Sequence, residues 1–126
     1  MKTIFVVAAC MFLSGCATVT AWIPSFGDPN QSNYIVQAQV AAQQIRCDQP
    51  QAPQVAGVAQ YLNLFMSYST ARGVLQQDVI RVVEPIQATV KEWQDRGEGS
   101  ATYCRIKREL LVATTGRAAQ VVLGRW

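Results

Sequence analysis

From Tyr34 onward, every long segment of this 126-residue chain spaces its apolar side chains as an α-helix does. Apolar residues recurring at i, i+3, i+4 and i+7 mark a helix with one face turned inward. A first helix is predicted from about Ser32 to Cys47, with Ile35, Val36, Ala38, Val40, Ala42 and Ile45 as its apolar set and glutamines between them. Asn30 or Ser32 is suited to cap it. Asp48 to Pro53 reads as a loop, with Pro53 fitting the first turn of a second helix. Val55, Val58, Ala59, Leu62, Phe65 and Met66 then continue the spacing. In the same phase come Ser69, Arg72, Gly73 and Gln76, which do not read as core residues. The stripe resumes at Val79, Ile80, Val83, Ile86, Val90 and Trp93. A break is therefore expected near Ser69 to Gly73.

Pro85 falls inside the third run, where it removes a backbone hydrogen bond and is expected to kink the helix or start a new one. A short β segment at Val79 to Val83 is the alternative there. Arg96-Gly-Glu-Gly-Ser100 is a stop and restart. Arg96 suits a helix C-terminus, and Gly97 or Gly99 suits positive φ. The last helix is expected from about Ser100 to Leu123, with Cys104, Leu111, Ala118 and Val122 on one face and Gly124 ending it. The fold class is all-α.

The first residues carry a different signal. Lys2 is followed by an apolar run from Thr3 to Leu13. That is too short to cross ~30 Å of hydrocarbon as a helix. A short apolar run behind a basic start reads as a secretion signal. Leu13-Ser14-Gly15-Cys16 comes directly after it. This resembles the lipobox of bacterial lipoproteins, in which a branched apolar residue and two small ones precede a cysteine. The resemblance covers residues 1–16 only. It implies that residues 1–15 are a signal peptide, that cleavage precedes Cys16, and that acyl chains such as palmitate are attached there. Its partner would then be membrane lipid. Each buried CH₂ contributes roughly 0.8 kcal/mol, so several chains hold firmly. Ala17 stands where such proteins carry Asp when they stay at the inner membrane, which implies the outer membrane, periplasmic face.

Residues 16–33 read as the lipidated cysteine and a flexible tether, because Pro24, Gly27 and Pro29 argue against regular structure. Trp22, Ile23 and Phe26 suit either the lipid interface or docking onto the domain, 34–126. With Lys2 removed, ten basic side chains face eight acidic ones. So small an excess does not suggest nucleic acid.

Cys10 leaves with the signal and Cys16 is lipidated on this reading, which leaves Cys47 and Cys104. An even pair in an oxidising compartment reads as one disulfide. An intermolecular bond and free thiols are the alternatives. The intrachain bond tests the topology. One unbroken middle helix of about forty residues would be ~60 Å long and would hold the two cysteines at opposite ends. A disulfide needs Cα atoms within about 7 Å. A reversal near Ser69 to Gly73 brings them together in an antiparallel four-helix bundle. A reversal near Glu84-Pro85 would also serve. Without a reversal the cysteines would bridge two chains.

Catalytic groups are scarce. The chain has no histidine, so neither a Ser-His-Asp triad nor a common metal site is expected, and no cofactor is implied. Glu92 and Asp95 are near enough in sequence to pair, but sit beside Arg96 as solvated charges do. Arg105, Lys107 and Arg108 form a basic cluster, and Arg125-Trp126 a terminal aromatic. Both are candidate partner contacts; a solvated face and packing onto the domain are the plain alternatives. Tyr61 and Tyr68 share a face suited to packing. The expected role is a non-catalytic interaction or assembly module of an envelope complex, with a protein partner. Two phage-type roles resemble its size and anchor: superinfection exclusion and the outer-membrane spanin subunit. A cell-wall-active enzyme is disfavoured by the missing groups.

Overall fold

The computed structural model describes residues 28–73 and 76–124. The expected signal peptide, Cys16, most of the expected tether, Arg125 and Trp126 lie outside the described residues. Four helices account for all regular structure among those described: α1, Pro29–Gln43; α2, Gln51–Ala71; α3, Gln77–Arg96; and α4, Ala101–Leu123.

Helix α1 begins earlier than the sequence pattern suggests. Its cap is Asp28, not Asn30 or Ser32. The Asp28 carboxylate accepts hydrogen bonds from the backbone N–H of Asn30 at 2.8 Å and of Gln31 at 3.4 Å. Pro29 occupies the first turn, where its missing N–H has no intrahelical partner to lose. The same proline that argues for a tether therefore opens the helix. Residues 28–33 belong to the domain.

Helix α2 likewise starts ahead of expectation, at Gln51. No side chain of its own N-cap serves it. Glu98, from the α3–α4 connection, accepts from the N–H groups of Gln51 at 2.8 Å and Ala52 at 3.1 Å. A carboxylate there also complements the positive end of the helix. The predicted break is present. Gly73 has φ of +92°, a backbone state that costs a glycine little, and α3 starts at Gln77.

Helix α3 runs unbroken through Pro85, so the reversal there and the β alternative are both ruled out. On either side of the proline the stripe of Val79, Ile80, Val83, Ile86, Val90 and Trp93 is buried. That burial outweighs one missing hydrogen bond. Gly97 takes the positive φ, +76°. Gly99 is needed for space instead: a Cβ there would lie 2.4 Å from Cδ1 of Tyr103. Ser100 caps α4 by accepting from the Tyr103 N–H at 3.1 Å.

Helix α1 packs on α2 and α4, and α3 packs on the same two. The four form a ring, with α1 diagonal to α3 and α2 diagonal to α4. Contacts at both ends give the sense of each pair. Gln31 near the start of α1 meets Ser69 near the end of α2, while Arg46 just after α1 meets Gln54 in the first turn of α2. Gln51 meets Trp93, and Asn63 meets Gln87. Ile45 meets Arg108, and Gln39 lies against Gly116. Sequence order is reversed across each of these pairs, so those neighbours are antiparallel. Trp93, Phe65, Ile35, Ile45, Leu62 and Leu111 are the bulkiest side chains in the shared core. Cys47 and Cys104 are joined, with Cα atoms 5.7 Å apart.

Candidate functional site

The bundle has a tether end, named for the expected tether, where α1 and α3 begin and α2 and α4 finish, and a disulfide end opposite. No helix among the described residues is long and apolar enough to cross a membrane.

At the tether end two residues of the lapsed apolar stripe are buried, while Arg72 and Gly73 stay exposed. Ser69 is fully shielded and Gln76 nearly so. They are not solvent-facing residues, as their polarity suggests. Gln31, also buried, donates from its amide nitrogen to Ser69 Oγ at 2.8 Å and to Gln76 Oε1 at 2.7 Å. Beside this triplet, the Asp28 carboxylate accepts from the Tyr68 hydroxyl at 2.8 Å and is paired with the Arg72 guanidinium. Asn30 donates from its side chain to the same Tyr68 oxygen at 3.2 Å. Tyr34 stands edge-on to Tyr68, their rings 5.9 Å apart. Burying an ion costs heavily unless it is paired and hydrogen-bonded. Asp28 is supplied with a cation, a phenol and two backbone amides, so it stays buried at the first described residue of the chain.

Apart from Tyr68, none of these residues stands out in the sequence as a candidate. A signal is nonetheless present: Ser69 follows Leu62 and Phe65 in phase, and Gln31 precedes Ile35 and Ala38 in phase. Polar side chains on a core face imply partners for one another. Their separations of 38 and 45 residues hide which ones.

At the disulfide end the expected basic cluster is dispersed. Lys107 points to α3 and donates to Glu92 at 3.2 Å, with its ammonium 5.5 Å from the Tyr103 ring centre. Arg108 turns toward α1 and donates to the Ile45 carbonyl at 3.2 Å. Only Arg105 reaches into solvent, with a long contact of 3.5 Å to Thr102. Tyr103 is enclosed by Trp93, edge-on at 6.2 Å, and by the Arg96 guanidinium 4.1 Å above its ring. Gln51 binds this corner together: its amide oxygen accepts from Trp93 Nε1 at 3.1 Å and from the Gly99 N–H at 3.2 Å. Tyr61 is half-buried against the core, as its phase on α2 suggests.

Five of the carboxylates are spoken for individually. Asp28 caps α1, Glu98 caps α2, Asp48 pairs with Arg46, Glu92 with Lys107 and Asp95 with Lys91. Glu92 and Asp95 thus serve two separate ion pairs. A shallow groove of about 300 Å³ runs between α2 and α3, floored by Ala59 and Leu62 and edged by Asn63, Gln87, Lys91 and Gln94. Asn63 and Gln87 bond to each other across it at 3.0 Å. Its amides can hydrogen-bond a ligand, but it brings no nucleophile and base together. Among the described residues, no three of His, Cys, Asp and Glu gather as metal ligands would. Comparison with protein families, with curated proteins and with solved structures finds no match to this chain.

Proposed function

We propose that this chain is a lipid-anchored envelope protein whose helical domain works by binding, as a non-catalytic module of an envelope assembly. The observation that carries the reading is Leu13-Ser14-Gly15-Cys16 directly behind a short apolar run. Acylation at that thiol confines the domain to a membrane surface, and Ala17 favours the periplasmic face of the outer membrane. Two features of the domain support it. The paired Cys47 and Cys104 suit an oxidising compartment. The clasp around Asp28 holds α1 to α2 twelve residues after Cys16, so a pull on the anchor is borne by a braced helix end.

The test is Cys16→Ser in the native host, with membrane fractionation and mass spectrometry of the mature N-terminus. The wild-type protein is expected in the outer-membrane fraction, starting at an acylated Cys16. The variant is expected in the soluble periplasmic fraction. Wild-type protein that begins at Met1, or that is cleaved without fatty acid, refutes the reading.

A further inference from the structure

Five large hydrophobic side chains stand exposed among the described residues, and four of them are on α4: Ile106 at 59 %, Leu110 at 42 %, Val121 at 41 % and Leu123 at 44 %. The fifth, Leu64, is on α2, the diagonal helix. The outward face of α4 is ordered as well as apolar. Ile106, Leu110, Ala113, Arg117 and Val121 succeed one another at steps of four, three, four and four, which is one stripe along a helix about 34 Å long. The inward face, with Cys104, Leu111, Thr115, Ala118 and Val122, is already used by the bundle. The helix therefore carries large apolar side chains on a second face, among charged and polar ones, that the bundle leaves uncovered.

Two of the charges on that outward face, Glu109 and Arg117, are arranged symmetrically, with Arg105 further out. Glu109 lies four residues before Ala113 and Arg117 four after it. Neither forms an ion pair with another described residue. We propose that this face of α4 is the contact between two copies of the chain, packed antiparallel about a twofold axis at Ala113. In that alignment a residue a given distance before Ala113 lies level with the one equally far after it on the other copy. Glu109 meets Arg117 of the other copy, and the pair occurs twice. Leu110 lies level with Gly116, and Ile106 lies level with Gln120, one residue from Val121. Ala113 meets itself on the axis, where its small side chain lets the helices approach. A parallel alignment would instead set Glu109 against Glu109 and Arg117 against Arg117, which like charges oppose. The charge order therefore selects the antiparallel one. Such a twofold contact is self-complementary. One helix pair buries less than the ~800 Å² per partner of a standard interface, so the association is weak and concentration-dependent. It does not depend on acylation at Cys16.

Site-directed crosslinking tests this on the purified full chain under a mild oxidant. Ala113→Cys puts a thiol on the axis and is expected to give a covalent dimer well above the parent's background. Gln60→Cys, exposed on α2, is expected to stay at that background. In the Ala113→Cys chain, Arg117→Glu is expected to lower the dimer yield several-fold, and adding Glu109→Arg to restore it. These positions are exposed, so circular dichroism should report an unchanged fold. Equal crosslinking at the two cysteines, a monomeric Ala113→Cys chain, or failure of the double reversal to restore the yield overturns the proposal.

Discussion

At one end of the bundle, Cys47 and Cys104 hold α4 to the chain just beyond α1 by a covalent bond, and Trp93, Tyr103 and Gln51 pack around the corner beside it. At the other, no covalent link exists among the described residues. There Asp28, Arg72 and Tyr68 join the start of α1 to the end of α2, and Gln31, Ser69 and Gln76 lie buried beside them. Both ends solve the same problem. A helix end fraying into water exposes backbone groups and core side chains. The disulfide end limits the freedom of the unfolded chain. The tether end does nothing to the unfolded chain and must be stabilised wholly by contacts made on folding. The first should tolerate changes in charge and resist proteolysis. The second should respond to any loss of a single partner, since an orphaned buried ion or amide is costly.

The comparison is most directly broken at the cysteines. Cys47 and Cys104 close a loop 57 residues apart in sequence. On the chain-entropy model, releasing that loop by Cys104→Ser costs about 4 kcal/mol. In a domain of this size that lowers Tm by roughly 16–32 °C, as differential scanning calorimetry would record. A shift of a few degrees would place the weight elsewhere. Next in size is Asp28→Ala, which removes a cap and the carboxylate that Arg72 and Tyr68 share. A loss of about 3 kcal/mol is expected from urea unfolding. Arg72→Ala made on top of it should cost much less than it does alone, because the pair acts as a unit. Additive losses would mean that the clasp is two independent contacts. Smallest is Glu98→Ala at the disulfide end. Two N–H groups of α2 lose their acceptor but are able to turn to water, so about 1 kcal/mol is expected. Hydrogen exchange should quicken at Gln51 and Ala52 while the tether end keeps its protection.

The two ends also differ in how far they are legible in the sequence. The cysteines can be paired because so few remain once Cys10 and Cys16 are set aside, and because the pairing demands a reversal in the middle segment. Gly73 and the helix start at Gln77 meet that demand. The clasp is not legible. Ser69 and Gln76 read as surface because serine and glutamine usually lie there. Pro29 reads as a spacer residue because the acceptor that makes it a helix start is the side chain just before it. Pro85 misleads for a related reason: the penalty of a proline is local, whereas the burial of Val83, Ile86 and Val90 that keeps α3 whole is not. The basic cluster is real as a run of residues but not as a patch, since helical geometry sends Lys107 and Arg108 to different neighbours.

The order of residues alone determined the periodic features: four helical runs, their approximate limits, the apolar face of each, and a glycine at the turn that needs one. Periodicity is a property of consecutive residues, so it survives without knowledge of what lies opposite. The tertiary structure decided which helix lies beside which, that a carboxylate 47 residues away caps α2, and that polar side chains on a core face satisfy one another. Hydrogen bonds are short and directional, so a partner is chosen by position in space, and no spacing along the chain announces it.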